Sequence, residues 1–161
     1  MKVGVRQVRE RAQTARRAAT AAIGYARVSR EEQAREGVSL DAQRARVTAY
    51  AQAKGLELVG ILTDEGLSGK DLARPALEDL VARCQRGEVG HVIVWKLDRL
   101  TRRTHHLLSL VEDLFHTRGI ELHSVSESLD TSTPHGRFVL TLFGGLAQME
   151  REQIVDRTRS A

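Results

Sequence analysis

"AIGYARVS", Ala22 to Ser29, is the stretch whose reading decides the fold. A short apolar run with β-branched and aromatic residues reads as a buried strand. This one closes on Arg27 and Ser29 and then breaks into the charged "REEQ". Three later runs share its character: "LELVGIL" (56–62), "HVIVW" (91–95) and "IELHSVS" (120–126). Helical periodicity fills the gaps. A helix is expected over 40–54, with Ser39 as N-cap and Gly55 past its end. A second is expected over 75–86, between Pro75 and Gly87. A third, over 103–118, carries Leu107, Leu108, Val111, Leu114 and Phe115 on one face and stops at Gly119. Strand and helix alternating in this way predict an α/β fold: a mainly parallel central sheet with helices on both faces. Functional residues of such sheets gather at the carboxyl ends of the strands, which is where Ser29 stands.

The 161 residues are one domain's worth of chain, and scarce aromatics make the core aliphatic. The single cysteine, Cys84, excludes an internal disulfide and fits a reducing compartment. It falls in the helical series Leu77, Leu80, Val81, Cys84, as core filler does. No apolar run approaches the roughly 18 residues of a membrane span, so no membrane partner and a cytoplasmic location are expected. The formal charge of +4 is unevenly placed. Residues 1–22 hold six cations against Glu10, a balance of +5, which leaves −1 for residues 23–161. The basic leading segment reads as a disordered arm or loose helix, and any anion site in the remainder must be a local cluster.

From His135 onward, "HGRFVLTLFGGLAQMEREQIVDRTRSA" reads as one long helix. Phe138, Val139, Leu142, Phe143, Leu146, Met149 and Ile154 make a stripe broader than one small domain needs. Gly144 and Gly145 suggest close packing against another element. These features favour a homo-oligomer interface over residues 135–161. The division is then a basic arm (1–22), an α/β core (23–134) and the start of an interface helix (135–161).

Three strand ends should converge on one edge of the sheet. The first brings Arg27 and Ser29. The second opens into "TDEGLSGKDLARP", with Asp64, Ser68, Lys70 and Arg74. The third brings "KLDRLTRR", four cations and one acid in eight residues. Basic residues at the start of a helix oppose its dipole, and a bound anion offsets that. Arg27, Arg99 and Arg102 around one phosphodiester would stabilise the charge that builds when a hydroxyl attacks phosphorus. Ser29 would be the attacking group. Asp98 would either orient an arginine or handle a proton. Other chemistries fit less well. His105 and His106 are adjacent and point apart, so no metal site is expected. The acids Asp64 and Asp98 are outnumbered by cations, against a two-metal nuclease. There is no GxSxG elbow, and GLSGK lacks the spacing of a phosphate loop. Tyr25 and Tyr50 sit where core packing accounts for them.

Taken together, "GYARVS", "SLDAQ", "DEGLSG", Arg74 with Pro75, "VIVWKLDRLTR" and "GRFVLTLFGGLAQMEREQI" resemble the catalytic domain of serine site-specific recombinases, the resolvase/invertase family. The resemblance runs from about Ile23 to the end. It implies Ser29 as a nucleophile that forms a 5′-phosphoserine link to double-stranded DNA. Arg27, Arg99 and Arg102 would hold the scissile phosphate, with Asp98 beside them. Tyr25, Gln43, Asp64, Ser68 and Arg74 match supporting positions, and Arg151 could reach DNA. The implied reaction is cleavage, strand exchange and religation without metal, ATP or other cofactor. The long last helix corresponds to the family's dimer- and tetramer-forming helix. The stretch from Ser29 to Gln43 is longer than in compact resolvases and is similar to that of large serine integrases and transposases. Neither a helix-turn-helix nor a cysteine-rich module follows, so sequence readout is not expected from this chain. The alternative is a non-catalytic oligomerisation or decoy module of recombinase descent.

Overall fold

The computed structural model describes residues 18–29, 39–66 and 74–159, with side chains as far as Leu146 and at Met149. Its centre is a five-stranded sheet in the order β2-β1-β3-β4-β5. The strands are β1 (Ala21–Val28), β2 (Glu57–Glu65), β3 (His91–Val94), β4 (Glu121–Ser124) and β5 (Leu129–Asp130). The four expected strands pair in parallel, and β5 runs antiparallel to β4. β5 is two residues long, too short to leave a periodic signal in the sequence. β2 runs three residues past the expected Leu62, because Thr63, Asp64 and Glu65 stay in register with Ala26, Arg27 and Val28. β4 stops at Ser124, two residues before the expected end, where the chain turns at Val125.

β1 is buried along its whole length, as a central strand covered on both faces must be. On one face lies α1 (Leu40–Ala53), whose Val47 and Ala51 pack with Ala22 and Ile93. Gly24 permits that approach. A Cβ there would lie 2.8 Å from Val47 Cγ1 and 2.9 Å from Ile61 Cγ1. On the other face lie α2 (Pro75–Gln85), the short α3 (Leu97–Leu100) and α4 (Thr104–Ser109). They enclose Ile23, Tyr25, Val92, Val94 and Leu122. The helix expected over 103–118 has two parts. α4 runs into a π-helical segment, Leu110–His116. The wider π turns rotate the buried face, so Leu110 joins Leu107, Leu114 and Phe115 in the core while Leu108 and Val111 stay half-buried.

The last helix, α5, spans Pro134–Arg159. Thr133 caps it, accepting from Gly136 N at 3.1 Å and donating to Asp130 O at 2.7 Å. Its apolar residues divide between two faces. Val139, Leu140 and Phe143 join the core cluster, whereas Phe138, Leu142, Leu146 and Met149 are exposed. A Cβ on Gly144 would make ordinary contact with Leu108 at 3.6 Å, and one on Gly145 would meet nothing within 4 Å. Gly145 lies on the uncovered side of the helix. The basic segment 1–17, Ser68, Lys70 and the side chains of Arg151 and Ile154 lie outside the described residues.

Candidate active site at the carboxyl ends of β1 and β3

The topology marks one place on the sheet. From β1 the chain crosses over α1 to β2 on one side, and from β2 it crosses over α2 to β3 on the other. Connections that leave neighbouring strands in opposite directions open a crevice beyond their carboxyl ends. Here that crevice lies between β1 and β3. β1 delivers Arg27 and Ser29 to it, and the turn after β3 delivers Asp98 and Arg99.

β3 pairs with β1 only as far as Tyr25↔Val94 and then turns into α3. The backbone of Arg27 is therefore left without a strand partner on that side. Gln43 of α1 replaces it, accepting from Arg27 N at 3.4 Å and donating to Arg27 O at 3.1 Å. A buried amide side chain thus does the work of a ladder rung. Arg27 itself reaches across the crevice. Its Nε donates to Arg99 O at 3.2 Å and its Nη2 to Asp98 O at 3.0 Å, while Arg99 Nη1 returns a bond to Arg27 O at 3.4 Å. The two arginines interlock, each anchored on the other's segment.

Arg74, just ahead of α2, completes the cluster. Its Nη1 donates to Tyr25 Oη at 2.8 Å and to Arg99 O at 3.3 Å, and its Nη2 donates to Leu100 O. Tyr25 donates in turn to Asp64 Oδ2 at 2.8 Å. Asp64 also accepts from Ala76 N at 3.0 Å and Leu77 N at 3.1 Å, which makes it the cap of α2 from a different strand. Burial pushes the Tyr25 phenol well above its usual range, against the opposing pull of Arg74. It stays protonated, as its donation to Asp64 requires. Tyr25 is packed in the core, as expected, and its hydroxyl also links an acid and a guanidinium.

Burial sets the electrostatics. Arg27, Arg74 and Arg99 are 0 %, 1 % and 2 % exposed, and Asp64 is buried in their midst. Asp98 is only half-buried, with Oδ1 3.2 Å from Arg99 Nε. Among the bonds described, most acceptors for these cations are backbone carbonyls of 98–100. Carbonyl dipoles accept from these donors without carrying a neutralising charge of their own. Ser29, at 8 %, follows one residue past β1 and continues the face of Tyr25 and Arg27. Arg102 is exposed on the extended link between α3 and α4. The structure thus gathers Tyr25, Arg27, Gln43, Asp64, Arg74, Asp98 and Arg99 into one bonded cluster, while Arg102 stands at the surface. Among the described residues no group of three or more His, Cys, Asp or Glu could hold a metal ion, and no helix is long and apolar enough to cross a membrane.

An α/β domain with a serine and buried guanidinium groups at its switch point is a class of architecture, and comparison with known proteins places it. Residues 22–161 match the family described as "Resolvase, N terminal domain", and the chain belongs to that family. It is 42 % identical over 140 residues to a DNA-invertase of Enterobacteria phage P7, covering 86 % of this chain and 66 % of that protein. It is 36 % identical over 138 residues to the Transposon Tn917 resolvase of Enterococcus faecalis, covering 86 % and 67 %. Among solved structures, the N-terminal catalytic domain of TP901-1 integrase superposes with a TM-score of 0.77 at 40 % identity, over 83 % of this chain and 98 % of that one. The chain spans about two thirds of the length of the curated relatives it matches.

One contributor was not legible in the sequence. Glu127, in the turn between β4 and β5, accepts from Leu97 N at 3.3 Å. Nothing in "SVSES" distinguishes it from an ordinary exposed turn residue.

Proposed function

We propose that this chain is the catalytic module of a serine recombinase, a DNA strand transferase that works through a 5′-phosphoserine intermediate. Ser29 Oγ attacks the scissile phosphorus, an O–P bond forms, and the bond from phosphorus to the 3′ oxygen breaks. The seryl proton passes, directly or through water, to the departing 3′ oxygen. The ester conserves the bond energy, so a 3′-hydroxyl from another strand can reverse the step without metal or ATP. Arg27 and Arg99 supply positive potential beneath the phosphate, Arg102 reaches it from the surface, and Asp98 orients Arg99. Tyr25, Gln43, Asp64 and Arg74 hold the arginines in place. Ser68 and Arg151 are assigned to DNA contact by resemblance.

The observation that carries this reading is the interlocked Arg27–Arg99 pair two residues from Ser29 at the switch point. With both guanidinium groups out of solvent, direct contact with a phosphate requires the surface above them to open. Double-stranded DNA is the substrate on this reading, as the names of the invertase and integrase relatives suggest. A second copy is the other partner. The exposed Phe138, Leu142, Leu146 and Met149 recur at i, i+4, i+8 and i+11 along α5, one face of a helix that its own core leaves uncovered. The division into arm (1–22), core (23–134) and interface helix (135–161) belongs to the same reading.

The test uses duplex DNA with randomised flanks around a central 3′-bridging phosphorothiolate. Attack by Ser29 expels a 3′-thiol that rejoins poorly, so the adduct accumulates. The expected result is a covalent protein–DNA species whose modified peptide contains Ser29 and which Ser29→Ala abolishes. An adduct that persists in Ser29→Ala refutes the assignment.

A further inference from the structure

We infer that Glu127 is a positioning residue for the arginine cluster: it fixes α3, and through α3 the guanidinium groups that face the phosphate. This rests on the reaction proposed above. The short α3 is the keystone of the site because its backbone, more than its side chains, anchors the arginines. Asp98 O and Arg99 O accept from Arg27, and Arg99 O and Leu100 O accept from Arg74. A four-residue helix has no stability of its own. Something outside it must set its place.

The turn between β4 and β5 does so through three consecutive bonds. Val125 N donates to Val94 O at 3.0 Å, Ser126 N donates to Trp95 O at 2.8 Å, and Glu127 accepts from Leu97 N at 3.3 Å. The first two continue the β3–β4 ladder past the end of the strand. The third needs a side chain. Lys96, at the N-cap position of α3, makes no capping bond, so Glu127 supplies the cap from across the sheet. The same Oε2 accepts from Ser124 Oγ, which holds the carboxylate on target.

The backbone gives a second, independent sign. Ser128 sits at φ 52°, the one positive-φ residue other than glycine among the described residues. A left-handed residue with a side chain stores strain of about 1 kcal/mol or more and persists where the surroundings fix it. Here it closes the turn that aims Glu127 at Leu97. Glu127 touches none of the arginines through its side chain among the bonds described. Its influence runs through the placement of α3.

The experiment compares Glu127→Ala, Glu127→Gln and Glu127→Asp with the unaltered chain. It follows single-turnover adduct formation on the phosphorothiolate duplex at saturating DNA, alongside DNA affinity and thermal melting. Misplacing a charge-stabilising group by about an ångström slows chemistry by up to about a hundredfold. Glu127→Ala should therefore slow adduct formation roughly ten- to hundredfold, with DNA affinity within about twofold of the unaltered chain. Glu127→Gln keeps an acceptor oxygen and should recover most of the rate. Equal rates for Glu127→Ala and the unaltered chain would overturn the inference. So would a loss of rate that tracks only the fraction unfolded, or one that Glu127→Gln does not restore. An unaltered chain that forms no adduct would instead sink the parent reaction, and the inference with it.

Discussion

Tyr25→Phe isolates the hub of the site. The substitution removes one oxygen from a side chain with no exposure, so shape and apolar burial stay the same. Two bonds are lost, to Asp64 Oδ2 and from Arg74 Nη1, each 2.8 Å long. Both partners are charged, and hydrogen bonds to charged groups contribute roughly 1.5–3 kcal/mol each. Neither partner is stranded. Asp64 keeps the amides of Ala76 and Leu77, and Arg74 keeps the carbonyls of Arg99 and Leu100. The loss should therefore fall toward the low end of the sum, about 3–4 kcal/mol, and not reach the penalty of a bare buried charge. At about 3 °C per kcal/mol for a domain of this size, melting should drop by roughly 9–12 °C. Urea denaturation with intrinsic fluorescence from Trp95 measures the difference directly, with an unchanged m-value as the sign that only stability moved. A change below about 0.5 kcal/mol would refute the hub and return Tyr25 to plain core packing.

Two further outcomes follow from the other end of α5 and the far side of the sheet. Gly136→Ala would place a Cβ 1.9 Å from Asp130 O, so the start of α5 must shift; a loss of more than about 3 kcal/mol in the same urea titration is expected, and a neutral effect would contradict the described junction. Burial holds the buried His123 below its ordinary value of 6.5, with His91 and Lys54 acting in the same direction and Asp130 and Glu121 opposing; Tyr50 Oη faces its Nδ1 at 3.1 Å. The unfolded chain then binds the proton more readily than the fold does, so stability from this group is complete above the ordinary value and declines as pH falls below it. Subtracting the pH profile of His123→Gln from that of the unaltered chain should leave a slope in that window, and a flat difference would refute the assignment.

How much of this was written in the sequence depends on the range of the signal. "AIGYARVS" and "HVIVW" announce their strands because a doubly covered strand is apolar at every position. Ser39, Pro75 and Gly119 announce helix ends because caps act within a few residues. Arg27, Arg99 and Asp98 could be placed on one edge because the order of elements alone fixes which strand ends meet. What could not be read are the bonds across distance. Gln43 completing the backbone of Arg27, Asp64 capping a helix from another strand, and Glu127 capping α3 are all polar side chains satisfying backbone groups far away in sequence. No local pattern encodes those pairings. The π-helical turns after Ser109 were also hidden, since apolar spacing of three or four residues reads as an ordinary helix.

The buried arginines pose the central physical problem. Three guanidinium groups under a few per cent exposure would be prohibitively costly if each stood alone in a medium of low dielectric. Acid partners would solve that, but they would also cancel the charge on which phosphate chemistry depends. Among the bonds described, Arg27, Arg74 and Arg99 donate to carbonyl oxygens of 98–100 and of Arg27 itself, and the carboxylate of Asp64 is linked to Arg74 through the Tyr25 hydroxyl. Dipoles of this kind satisfy hydrogen bonds and leave net charge in place. On the proposed reaction, a phosphodiester at Ser29 brings its negative charge to guanidinium groups that the fold already holds in place through carbonyl oxygens. An acid placed beside these guanidinium groups should therefore lower adduct formation, since it would compete with the phosphate for their charge.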